Sequence, residues 1–110
     1  MSVIKLDRER PLRYTTNSVI SLVRLRGMSI ESMLLPENNN EETARALLYG
    51  GLITGDPTMT LEKVGDLMDL YRENGGDPEA VTAAIVEAMN ASKIKTLVQL
   101  DLKGDGEKNS

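Results

Sequence analysis

Apolar positions along this chain recur mostly at the spacing of one helix face, most densely in EETARALLYGGLITGDPTMTLEKVGDLMDL, from Glu41 to Leu70. Ala44, Leu47, Leu48, Gly51 and Leu52 fall at i, i+3, i+4, i+7 and i+8, the signature of an amphipathic helix. Gly50 and Gly51 lie inside that pattern, and each costs a helix roughly 1 kcal/mol against alanine. A missing side chain on a buried stripe lets a neighbouring segment come close, which is one reason to accept the cost. Gly55, Asp56 and Pro57 then stop the helix. Thr60 suits the N-cap of the next one, with Glu62 in its first turn. Leu61, Val64, Gly65, Met68 and Tyr71 form that second helix's buried stripe.

The other segments are arranged around this pair. Val3 to Leu6 and Leu12 to Thr16 read as short strands about the charged link Asp7 to Pro11, which predicts a β-hairpin. A lone hairpin is marginal, so it must lean on the helices or on another subunit. Asn17 is the predicted cap of a helix running to about Arg26, with Val19, Ile20, Val23 and Leu22 facing inward and Gly27 ending it. Ser29 caps a short helix that stops before Pro36, and its Met33-Leu34-Leu35 run needs cover. Glu37 to Asn40 is a polar loop, with Asn40 capping the central helix. Asn74-Gly75-Gly76 is a turn, and Asp77-Pro78-Glu79 opens a last helix with the stripe Val81, Ala84, Ile85, Ala88 and Met89.

That stripe would continue through Ser92, Lys95 and Thr96, all polar, so a break is expected near Asn90 to Lys93. Beyond it Ile94, Val98, Leu100 and Leu102 alternate with polar residues, as in a strand that could extend the hairpin. A short helix using Ile94, Leu97 and Val98 is the competing reading. The expected fold is mainly α. It is a small helical domain of four to five short helices with an N-terminal β-hairpin, over residues 1–103, with 104–110 a disordered polar tail.

Composition narrows the chemistry. A chain of 110 residues suits one domain, which buries about two-thirds of its unfolded surface. It has no Phe, Trp, Cys or His. The core must therefore be aliphatic with methionine, no disulfide is available, and neither a His-based catalytic triad nor a thiolate or imidazole zinc site can be assembled. No phosphate-binding glycine loop occurs. Asp101 to Glu107 imitates the start of a calcium loop, but Lys103 stands where a ligand oxygen is needed. No cofactor and no enzymatic activity are expected. A net charge of −4 argues against nucleic acid as the main partner. No run approaches the length of a membrane span and no signal-like apolar core opens the chain, so no membrane and a cytosolic compartment are expected. Arg8, Arg10, Arg13, Arg24 and Arg26 cluster early. The simpler reading is solvated arginines, and the sharper one a basic patch for an acidic partner.

Three ordered segments carry a resemblance. Leu12-Arg13-Tyr14-Thr15-Thr16-Asn17-Ser18-Val19-Ile20, leading to Gly27, is similar to the opening of the tail assembly chaperones of tailed phages. So is Ala46-Leu47-Leu48-Tyr49-Gly50-Gly51-Leu52 to that family's small-residue helix, and Asp56-Pro57-x-x-Thr60-Leu61-Glu62-Lys63-Val64-Gly65-Asp66-Leu67 to the helix after it. Order and spacing agree from about Val3 to Ser92. Arg24 and Arg26 depart from the acidic residues expected there, and nothing after Ser92 matches. The resemblance implies a non-catalytic morphogenesis factor. It would bind the tape-measure protein in the host cytoplasm, help recruit tail-tube subunits, form a homo-oligomer, and be absent from the mature virion. Its partner-binding residues would be Met33, Leu34, Leu35 and Met59 on an apolar contact surface, together with Arg24 and Arg26. A structural tube or connector subunit and an acidic phage-encoded inhibitor are the competing functions.

Overall fold

The computed structural model describes residues 2–92. The expected strand or helix over 93–103, and the expected disordered tail over 104–110, lie outside them. Within them the chain is mainly helical behind a two-stranded antiparallel hairpin: β1 (Val3–Lys5), β2 (Glu9–Pro11), α1 (Thr16–Arg26), α2 (Ile30–Met33), a 3-10 turn (Pro36–Asn38), α3 (Glu41–Leu52), α4 (Leu61–Glu73) and α5 (Pro78–Ser92).

α3 is the central element, because β2, α1, α4 and α5 all pack on it. Its buried side is wider than the predicted stripe and takes in Thr43, Ala46, Leu47, Leu48, Gly50, Gly51 and Leu52. The two glycines account for how closely its neighbours approach. A Cβ at Gly50 would lie 2.6 Å from Leu22 Cδ1 of α1, and one at Gly51 would lie 2.5 Å from Leu12 Cδ1 and 2.9 Å from Tyr14 Cζ. The segment bearing Leu12 and Tyr14 is also tied to the end of α3 by its backbone. Arg13 N–H donates to Gly51 C=O (2.9 Å), and Thr54 Oγ1 donates to Arg13 C=O (3.1 Å). Tyr14, 2% exposed, donates its hydroxyl to Leu47 C=O.

The hairpin differs from expectation in its second strand, which is Glu9–Pro11 and not Leu12 to Thr16. Ile4 pairs with Arg10, so the link is shorter than predicted. It is closed by Asp7, whose carboxylate accepts from Arg10 Nε (2.8 Å) and Nη2 (2.9 Å). Tyr14 is β-prone, but Leu12 and Tyr14 are worth more buried against α3 than in a sheet that has no third strand among the described residues. The Arg10 hydrogen bonds are the main cause holding the Asp7 carboxyl down to about 2, from 3.8. A lowered folded value contributes stability that is full above about pH 4 and is lost as pH falls through about 2. Asp7→Asn should therefore be less stable than the parent by about 0.2–1 kcal/mol at neutral pH, and the gap should close between pH 4 and pH 2. Urea midpoints across that range read it; an offset independent of pH would mean the carboxylate does not hold the turn.

The cap of α1 is Thr15, not Asn17. Thr15 and Ser18 satisfy each other reciprocally, Ser18 N–H donating to Thr15 Oγ1 (3.1 Å) and Thr15 N–H to Ser18 Oγ (2.8 Å), the capping-box arrangement. Asn17 lies exposed in the first turn. The inward face follows: Ser18 and Leu22 are buried and Val19 partly so, whereas Ile20 and Val23, expected inside, are 44% and 36% exposed. Gly27 ends the helix in the left-handed region, φ 68°. Ser29, Asn40 and Thr60 cap α2, α3 and α4 as predicted. Pro36–Asn38 winds into a 3-10 turn where an open loop is expected. In α4 Val64 is fully buried, while Leu61, Gly65, Met68 and Tyr71 are half-buried beside it. Tyr71 lies under Gly76 and donates to Asp77 C=O (2.7 Å), pinning the turn that leads to α5. Ile85, Ala88 and Met89 seat α5 on the core.

Candidate functional site

The residues expected at a partner surface separate into two groups. Met33 and Met59 are 2% and 4% exposed and pack in the core, which corrects the assignment of Met33 to a contact surface and leaves Met59 only the floor of a groove along α4. Each is next to a loop in sequence, but α2 and the α3–α4 link fold back over the interior. Leu34 and Leu35 do stand outside, 36% and 44% exposed, because α2 ends at Met33 and Leu34 is already its C-cap. Among the described residues, five of the eight large exposed apolar side chains, Ile20, Val23, Leu25, Leu34 and Leu35, lie on α1 or just after α2.

The early arginines also separate. Arg26 is not free to bind a partner. Its side chain is 14% exposed, forms an ion pair with Glu42 (3.0 Å), and donates from Nη2 to Thr43 Oγ1 (3.3 Å), tying the end of α1 to the start of α3. Arg10 is held by Asp7 and reaches Asp56 at 3.7 Å; the Asp7 hydrogen bonds push its pKa further up. Among the described residues Arg8, Arg13 and Arg24 form no ion pair, and all three are exposed. Arg24, in the last turn of α1, follows Val23 directly, and Thr16–Arg26 contains no acidic residue.

An open groove of about 560 Å³ runs along α4. Its apolar lining is Met59, Leu67 and Leu70, and Asp66, Asp69 and Glu73 border it with Arg10, Asp56 and Lys63. Asp66, Leu70 and Glu73 recur at helical spacing and so share one side of α4. Most of the bordering charges are engaged. Asp56 accepts from Thr58 Oγ1 (2.6 Å) and N–H (3.1 Å), which are the leading causes lowering its carboxyl pKa. Lys63 donates to Thr58 C=O, and Asp69 is held by Arg72, which also grips Glu41. Asp66 and Glu73 alone among the bordering acids have no ion pair within the described residues. The groove is therefore apolar inside, with four acids against two bases at its margin; Lys63, like Asp66 and Glu73, forms no ion pair within the described residues.

Tyr14 is the one group among the described residues with a very large pKa displacement, upward through burial, and its hydroxyl is committed to Leu47 C=O. Among the described residues no group of three or more His, Cys, Asp or Glu could hold a metal ion, and no helix is long and apolar enough to cross a membrane. Sequence reasoning named Arg24 on the outer face of α1 and Met59 in the groove, but not the residues that accompany them there. A signal for each was present: the acid-free composition of Thr16–Arg26, and the Asp66, Leu70, Glu73 spacing. No protein-family model, curated protein or solved structure matches this chain.

Proposed function

We propose that this protein is a non-enzymatic tail assembly chaperone of a tailed phage. It binds and solubilises the tape-measure protein in the host cytoplasm, helps recruit tail-tube subunits, self-associates, and is absent from the mature virion. The observation that carries the reading is the exposure of Leu34 and Leu35, two large aliphatic side chains in succession just after α2. Scattered single apolar residues on a surface need no explanation, but such an adjacent pair supports a contact surface. A long helical client that exposes apolar stripes aggregates until those stripes are covered, and Leu34 with Leu35 offers an adjacent pair of side chains to cover them. Burial of this kind resists salt better than a charge-led complex.

Co-expression with the tape-measure protein of the same phage should move that protein from pellet to supernatant. Leu34→Asp with Leu35→Asp should weaken the complex by about tenfold or more and leave thermal unfolding unchanged, since both side chains are exposed. If the domain copurifies in stoichiometric amount with mature tails and leaves the tape-measure protein insoluble, it is a structural tail component instead.

A further inference from the structure

We propose that the outer face of α1 of one copy docks in the α4 groove of the next, so that copies associate head to tail. This rests on the self-association part of the proposed function and not on its client. The two surfaces are complementary in kind. α1 presents Ile20 and Val23 beside Arg24, with no acidic residue in the helix. The groove presents Leu70, 38% exposed, and Leu67 beside Asp66 and Glu73, the two bordering acids left without an ion pair within the described residues. Seating α1 there covers exposed aliphatic side chains on both copies and gives Arg24 a carboxylate it lacks among the described residues of its own chain. Such complementarity sets orientation and excludes wrong partners more than it adds raw affinity. Because the two surfaces are different patches of one molecule, the contact is heterologous. It leaves an unused α1 at one end of the assembly and an unused groove at the other, so it grows into a ring or a filament and not a closed two-fold dimer. Leu34 and Leu35 lie outside this contact and stay available to a client.

Sedimentation of the full chain over a range of protein concentrations tests the geometry. The parent should run well above its 12.1 kDa monomer mass, with the weight-average mass rising with concentration. Ile20→Asp disables the α1 face and Leu70→Asp the groove, and each variant alone should be monomeric. Mixed, they should give a one-to-one complex of twice the monomer mass that grows no further, because one intact α1 meets one intact groove. As a second arm, Arg24→Glu should weaken association by about fivefold, and adding Glu73→Arg in the same chain should restore it. Circular dichroism checks that every variant is folded, and the charge pair serves if either aspartate variant is not. A parent that stays monomeric, single variants that still assemble, or a mixture that stays monomeric overturns the proposal. A parent that stops at a dimer overturns it too. Client solubilisation by the Ile20→Asp variant is read separately, so loss of assembly and loss of chaperone action are distinguishable.

Discussion

Gly51→Ala should lower the unfolding free energy by about 1–3 kcal/mol, and Gly51→Leu by more. Alanine is normally the better helix residue by roughly 1 kcal/mol, so the sign itself is informative. The new methyl would lie 2.5 Å from Leu12 Cδ1, 3.0 Å from Leu12 Cγ and 2.9 Å from Tyr14 Cζ. A loosely held leucine could turn away, but Leu12 and Tyr14 are 1% and 2% exposed, and close-packed interiors leave no room to turn into. Backing the whole segment off would break the bond from Arg13 N–H to Gly51 C=O and that from Tyr14 to Leu47. Gly65 supplies the contrast on the neighbouring helix. A Cβ there would meet only Arg45 Cδ, at an ordinary 3.7 Å, so Gly65→Ala should stabilise by about 0.5–1 kcal/mol through helix propensity. Chemical denaturation of the two alanine variants side by side gives the comparison. Equal midpoints would mean that α3 and the Leu12–Tyr14 segment are not in close contact.

The features legible in the sequence are the ones settled within a few residues. Ser29, Asn40 and Thr60 each cap the helix that follows because the bond is local, from the cap side chain to a backbone N–H three residues on. Gly27 ends α1 because the left-handed conformation favours glycine. The central pair of helices and the stripe of α5 follow from spacing alone. Where the reading failed, a partner distant in sequence mostly decides the outcome; the cap of α1 is the local exception, a reciprocal Thr15–Ser18 pair in place of Asn17. Tyr14 and Thr15 have strand propensity, yet Tyr14 is placed by Leu47 and Gly51 of α3, and Thr15 by its reciprocal bonds with Ser18. Once the cap moves from Asn17 to Thr15, the inward phase of α1 follows Leu22, and Ile20 and Val23 turn out. Met33 and Met59 look like surface residues because loops adjoin them, but covering depends on elements tens of residues away. Arg24 and Arg26 are two positions apart and chemically identical. Only Arg26 finds Glu42 and Thr43 within reach, so the sequence could not tell the free arginine from the paired one. The groove has the same character, since Met59, α4 and Arg10 of β2 come together only after the chain has folded.

Leu22→Ala should be the most destabilising single change on the α1–α3 contact, costing about 2–5 kcal/mol, because Leu22 is 1% exposed and joins α1 to the core. Its partner across the contact is the position with no side chain. A Cβ at Gly50 would lie 2.6, 2.7 and 2.9 Å from Cδ1, Cγ and Cδ2 of Leu22, so the nearest obstruction is that one residue. Gly50→Ala alone should therefore cost about 1–3 kcal/mol by overpacking. Together the two changes remove the obstruction and put a methyl into the space the leucine vacates. The double variant should be no less stable than Leu22→Ala, and more stable if the added methyl and the gain in helix propensity both count. The coupling expected is about 1–3 kcal/mol, of the size found for residues in direct contact. Gly51 should behave differently, because its obstruction comes from Leu12 and Tyr14 together, and shortening Leu12 alone leaves the tyrosine ring in place. A double-mutant cycle on Leu22 and Gly50, read by urea unfolding, distinguishes these cases. Strictly additive losses would mean that Gly50 does not hold Leu22 and that α1 is seated on α3 by some other contact.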